Sequence, residues 1–139
     1  MLKRPLNLQF SQAVLDGIKT TTIRKNPWPI GKPIMLYNWS GIAYRSHQID
    51  VAPIVVIETT EIEITRNVLG MGYWVKSTDV FIEGLWMTEG FKSQKDMDLW
   101  FSKLVKCGQS LTRHLMKFRL YNARADGRGA IGQPSNETE

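Results

Sequence analysis

Three residue types that do chemistry together stand close in this chain: an amine at Lys19, a run of hydroxyls at Thr20, Thr21 and Thr22, and a guanidinium at Arg24. They belong to the octapeptide G-I-K-T-T-T-I-R, Gly17 to Arg24. A lysine beside a hydroxyl can work as base and nucleophile when its proton is loosened. Lysine, hydroxyl and guanidinium together also suit a phosphate or a nucleobase. Each has a plainer reading as well. The threonines are good strand formers, Lys19 suits the C-terminal end of a helix, and Arg24 suits a surface ion pair.

The elements around this run must bring the groups together. Ser11 is a fitting N-cap for a short helix over Gln12 to Asp16, which Gly17 closes. Thr20 to Ile23 reads as a strand because β-branched residues dominate it. In a regular strand, residues three apart face opposite ways. Lys19 and Thr22 therefore share a pocket only if the chain bends between Gly17 and Thr20.

Further strands are expected over Ile34 to Trp39, Val51 to Ile64 and Leu111 to Tyr121. Pro53 points to an edge or bulge in the long one, and Thr59-Thr60 to a bend that splits it. Gly70-Met71-Gly72 reads as a flexible loop, with Trp74 beside it as a lid residue. Ser77 or Thr78 is expected to cap a helix through Val80, Phe81 and Leu85. Ser93 with Asp96 predicts a second cap, opening a helix with Met97, Trp100, Phe101 and Leu104 on one face, closed by Gly108. There is no strand-helix-strand alternation, so the fold class is α+β rather than a parallel α/β sheet.

Composition narrows the function classes. A chain of 139 residues, 42% hydrophobic and 22% charged, is expected to form one domain with a single core. The net charge of +5 is uneven: residues 1–50 carry seven Lys/Arg against two Asp/Glu, 51–90 two against six, and 91–139 nine against five. That balance suits a polyanion such as RNA, and equally a solvated surface. The single cysteine, Cys107, excludes an internal disulfide and a cysteine metal cage, and fits a cytoplasmic location. His47 and His114 lack ligand spacing, so no metal is expected. No cofactor is expected either: phosphate-loop and dinucleotide fingerprints are missing. No signal peptide or membrane-spanning run is read.

Aromatic residues interleave with cations between Arg24 and Arg45. Trp28, Tyr37, Trp39 and Tyr44 alternate with Arg24, Lys25, Lys32 and Arg45. Rings that stack bases beside cations that meet phosphates suit single-stranded RNA. The nucleic-acid-binding candidates are accordingly Arg24, Lys25, Lys32, Trp39, Tyr44 and Arg45. The plain alternative for Trp39 is a place in the core, and Trp86 and Trp100 fit the core better still.

Gly17 to Arg24, Gly31-Lys32-Pro33-Ile34 and Glu89-Gly90-Phe91 before a capped helix, in that order, resemble an ASCH domain of the PUA-like group. The stretch Gly31 to Val56, with W-S-G and then Y-R-S, is most similar to ASCH proteins of phages and prophages. The resemblance spans roughly residues 6–121 and implies a PUA-like small curved or closed β-barrel with two or three short flanking helices. Glycine, polar and charged residues dominate from Ala123 onward, so a domain over 1–122 and a polar, flexible tail over 123–139 are expected, with Arg124 and Arg128 as candidate polyanion contacts.

The resemblance also implies a cleft for RNA or a modified nucleoside, lined by Lys19, Thr22, Arg24 and Glu89. Some bacterial relatives in this group are N4-acetylcytidine amidohydrolases, and others are linked to RNA cleavage. For the amidohydrolase the candidate catalytic residues are Lys19 as base, Thr22 as nucleophile and Glu89 as proton shuttle, with Glu83 an alternative for the carboxylate. Binding ranks ahead of this hydrolase or a ribonuclease, because the catalytic set depends on which glutamate reaches the cleft. A host-protein partner is a third class.

Overall fold

The computed structural model describes residues 1–124 of the 139 in the chain. Apart from Ala123 and Arg124, the expected tail lies outside the described residues, as does Arg128. The architecture is mixed α+β. Its strands are β1 Leu2–Pro5, β2 Thr21–Arg24, β3 Pro33–Trp39, β4 Gln48–Asn67, β5 Gly70–Val75, β6 Val80–Phe81 and β7 Ser110–Leu120. A 3-10 turn, Leu8–Phe10, leads into α1, Ser11–Leu15; α2 spans Leu85–Glu89 and α3 Gln94–Ser102.

All seven strands join one sheet. One path runs β1-β3-β4-β5-β6; β7 pairs with the other side of β4 and carries β2 on its far edge. β1 lies parallel to β3, and the other strand pairs are antiparallel. Among the described residues the pairing does not run round to close the sheet.

β4 is the spine. Its β-branched run is one unbroken strand of 20 residues, not two. Its irregularity comes slightly before Thr59-Thr60: pairing with β7 slips between Val56 and Glu58, leaving Ile57 as an extra residue. Pro53 lies close to a second slip, opposite Leu36/Tyr37, as its missing N–H requires.

The slip at Ile57 flips the side-chain phase of β4. Val56 faces Phe118, whereas Ile62 faces Arg113, and those two partners lie on opposite faces of β7. One run of apolar residues therefore feeds two clusters. Ile54 and Val56 join Leu6, Phe10, Val14, Trp28, Met116 and Phe118. Ile62 and Ile64 join Tyr73, Leu85, Met97, Phe101 and Val105. Phe91 packs against both. The single core expected from chain length is thus two clusters bridged by an aromatic ring.

Several expected elements differ. Gly70 to Gly72 is the start of β5, paired with Asn67 to Thr65, not a free loop. Trp74 is no lid: its Nε1 donates to Thr65 Oγ1 at 3.1 Å and its ring meets Phe81 edge-on. Val80 and Phe81 form the short β6 against β5 instead of a helix, because the turn at Asp79 (φ 55°) reverses the chain. The helix at Leu85 starts only after Gly84 (φ 69°). Ser11 is the first residue of α1 instead of its cap, and its hydroxyl donates to Asn38 Oδ1 at 2.8 Å. The Ser93 cap forms as expected: its Oγ accepts from Asp96 N at 3.1 Å. Of the expected α3 face, Met97 and Phe101 are buried, Trp100 is exposed and not in the core, and Leu104 is exposed beyond the helix end, which comes at Ser102 and not at Gly108.

Candidate functional site

α1 ends at a tight turn that sets the position of Lys19. Gly17 takes φ 72°, and the amides of Ile18 and Lys19 both donate back to Ala13 O at 2.9 Å. This is the bend between Gly17 and Thr20 that Lys19 needs. Lys19 precedes β2 instead of lying in it, so strand alternation does not separate it from Thr22.

β2 is stitched to its surroundings at both sides. Phe118 N donates to Thr20 O at 2.9 Å, and Thr20 N donates to Thr88 O, at the end of α2, at 2.8 Å. That second bond brings Glu89 beside the lysine. α2 is short and enclosed between Gly84 and Gly90 (φ 90°). Gly90 is required here: a Cβ on it would lie 3.1 Å from Lys19 Cβ and 3.4 Å from Phe10 Cδ1.

The result is a buried polar knot. Lys19 Nζ donates to Thr21 O at 2.7 Å and to Glu89 O at 2.8 Å, and stands 3.6 Å from Glu89 Oε1. The ammonium also lies 4.8 Å from the centre of the Phe10 ring. Glu89 Oε2 accepts from the Thr21 hydroxyl at 2.6 Å, and that hydroxyl lies 3.0 Å from Thr88 Oγ1. Lys19, Thr21, Thr22 and Glu89 are all buried. Burial pushes the Lys19 amine below its ordinary pKa; the Glu89 charge opposes this, and Arg24 adds to it. Two carbonyls hold two positions of Nζ. The remaining tetrahedral position, a proton in the ammonium or a lone pair in the amine, is left for the carboxylate and the cavity.

Arg24 is held in a fixed pose. Its Nε donates to Thr22 Oγ1 at 3.0 Å, and its guanidinium lies 4.8 Å from the centre of the Trp28 ring. Burial pushes the Arg24 pKa down, and the Glu89 charge counters it.

A cavity of about 220 Å³ opens onto these groups. Its polar lining includes Lys19, Thr22, Arg24, Glu89 and Arg113, and its apolar wall includes Phe10, Phe91 and Trp100. Phe10, Phe91 and Trp100 pack edge-to-face, with centroids 5.1 to 5.8 Å apart. Lys19, Thr22, Arg24 and Glu89 therefore share one cavity. Glu83 is exposed and outside it.

The remaining binding candidates, Lys25, Lys32, Trp39, Tyr44 and Arg45, do not line this cavity. Lys25, Lys32 and Arg45 are exposed. Trp39 is partly buried between the rings of Tyr37 at 5.4 Å and Tyr44 at 5.2 Å. Tyr44 is 85% exposed and takes φ 66°, holding its ring at the tip of the β3–β4 turn.

Two site residues were missed in the sequence. Thr21 is the hydroxyl that touches Glu89, yet nothing in a run of three threonines distinguishes it. Arg113 did leave a signal: it stands between Leu111 and Leu115 on one face of β7, a cation on an otherwise apolar stripe.

Among the described residues, no group of three or more His, Cys, Asp or Glu is placed to hold a metal ion. No helix among them is long and apolar enough to cross a membrane. No protein-family model matches the chain, and neither a curated protein nor a solved structure matches it.

Proposed function

We propose that the chain is an ASCH-type domain of the PUA-like group, and that its cavity binds a nucleobase, either in RNA or as a modified nucleoside. One observation carries this reading: a buried Lys19–Glu89 pair, Thr22 and Arg24 all open onto one aromatic-walled cavity of about 220 Å³. Such a cavity is smaller than those that take drug-sized ligands, and suits one base better than a longer segment. The aromatic wall supplies stacking, worth about 1–3 kcal/mol per base. The carboxylate is suited to accept from an exocyclic amino group. The seven-stranded sheet, with β4 paired on both sides and register slips against β3 and β7, supports the PUA-like assignment. The Trp39 and Tyr44 rings, backed by the buried Tyr37 and followed by Arg45, are a second stacking surface for the strand outside the cavity.

Calorimetric titration with cytidine, N4-acetylcytidine and short single-stranded RNA tests the reading. Binding of at least one, weakened by Thr22→Val and Arg24→Gln, is expected. No binding of any nucleoside or RNA sinks it.

A second reading, deacylation of N4-acetylcytidine, is favoured by the lowered Lys19 pKa. Thr22 Oγ1 accepts from Arg24, which leaves its own proton to give away. In that reaction Thr22 Oγ bonds to the acyl carbon and its proton passes to the Lys19 amine. The C–N4 bond then breaks as N4 takes a proton, with Glu89 as carrier, and water releases acetate from the acyl-threonine. Acetate and cytidine from acetylcytidine, absent in Thr22→Val, support this reading; binding without turnover leaves the binding reading alone.

A further inference from the structure

We propose that the ligand of this cavity is phosphorylated, a nucleotide or a nucleotide phosphodiester, and that Arg24 and Arg113 together hold its phosphate. This rests on the base-binding reading above and extends it to the ligand's charge. The cavity lining carries three cations, Lys19, Arg24 and Arg113, against one carboxylate, Glu89. The Glu89 charge is already matched by Lys19, which one of its oxygens faces while the other accepts from Thr21. Among the described residues neither arginine has a carboxylate within ion-pair distance.

Both arginines are partly buried, where an unmatched charge is costly. Arg24 is pre-set for an anion. Thr22 takes its Nε and Trp28 covers its ring face, leaving both Nη groups without a hydrogen bond among the described residues. Arg113 uses Nη1 on Thr112 O at 3.0 Å and lines the same cavity from β7, the strand that pairs with β2. Two guanidinium forks on one small cavity suit the oxygens of one phosphate. A neutral nucleoside leaves this excess charge unmatched.

The test is calorimetry on the full chain with the four nucleosides, their 3′- and 5′-monophosphates, a dinucleotide of each base, and inorganic phosphate, each at two salt concentrations. The nucleotide is expected to bind at least tenfold tighter than its nucleoside, with a gain that shrinks as salt rises. Arg113→Gln is expected to erase most of that gain, while Arg113→Lys keeps part of it. The salt comparison on the unaltered protein stands even if Arg113→Gln does not fold. A dinucleotide that matches the monophosphate places the phosphate within a strand; a preference for the monophosphate assigns a free nucleotide, and either supports the proposal. Equal binding of nucleoside and nucleotide overturns it and leaves the base reading intact. Phosphate binding to which nucleosides add nothing overturns the base reading but not the anion site. Absence of all binding overturns both.

Discussion

Thr21 anchors Glu89: its hydroxyl donates to Oε2 at 2.6 Å, from the strand that also presents Thr22 to the cavity. Thr22, the expected nucleophile, accepts from Arg24. The two hydroxyls thus divide the work. One orients the acid from behind, and the other stays at the ligand side. Thr21→Val removes a hydrogen bond to a charged acceptor and is expected to cost about 2 kcal/mol. Thr21→Ser is expected to restore most of it, as read by urea denaturation.

The Lys19–Glu89 pair is buried, so its partners are not separable. Lys19→Met leaves a carboxylate without its cation and two carbonyls without a donor. A loss of about 3–5 kcal/mol is expected. Adding Glu89→Gln to that variant removes the stranded charge. The double substitution is expected to cost less than the sum of the two singles, and additive losses would contradict the pairing.

Stability is expected to depend on alkaline pH through Lys19. Its folded pKa lies below the unfolded value of about 10.4. Between the two values the unfolded chain binds more protons than the folded one, so this group's contribution rises with pH and levels off near the unfolded pKa. Chemical denaturation from pH 7 to 9.5 is expected to show a more positive slope for the natural chain than for Lys19→Met. Equal slopes would rule out a Lys19 pKa lowered into that range.

Tyr73 acts with the opposite sign above that range. Burial, and a hydrogen bond to Asp98 Oδ1 at 2.9 Å, push its phenol pKa up. Above about pH 10 the unfolded tyrosine loses its proton while the folded one keeps it. Stability from this group is complete below that pH and falls as pH rises. Tyr73→Phe is expected to flatten the fall, at a cost of about 1 kcal/mol at neutral pH.

Gly90 links the backbone to the site. Its φ of 90° and the 3.1 Å approach to Lys19 Cβ leave no room for a side chain. Gly90→Ala is expected to cost about 1–3 kcal/mol and to weaken ligand binding by displacing Lys19. Nucleoside titration and thermal melting check both effects together.

Local order was legible where chemistry between neighbours decides it. The Ser93 cap of α3, the stop at Gly17, the β-branched strand β2 and the strands β3 and β7 depend on residues a few positions apart. Binary alternation failed on β4 because a single extra residue at Ile57 reverses which side chains face which cluster. It failed also around Val80, where a two-residue strand exists only because β5 is there to pair with it.

By itself, the sequence determined an α+β chain and put a glycine, Gly17, where a bend would free Lys19 from strand alternation. It also supplied a lysine, a threonine and an arginine close enough to act together. Only the tertiary structure chose Glu89 over Glu83, gave Thr21 the contact with it, and brought Arg113 into the cavity from 89 positions beyond Arg24. Those choices depend on α2 docking on β2 and on the register of β7 against β4. Contacts of that kind are set by long-range packing and strand pairing, to which no local spacing of residue types is tied.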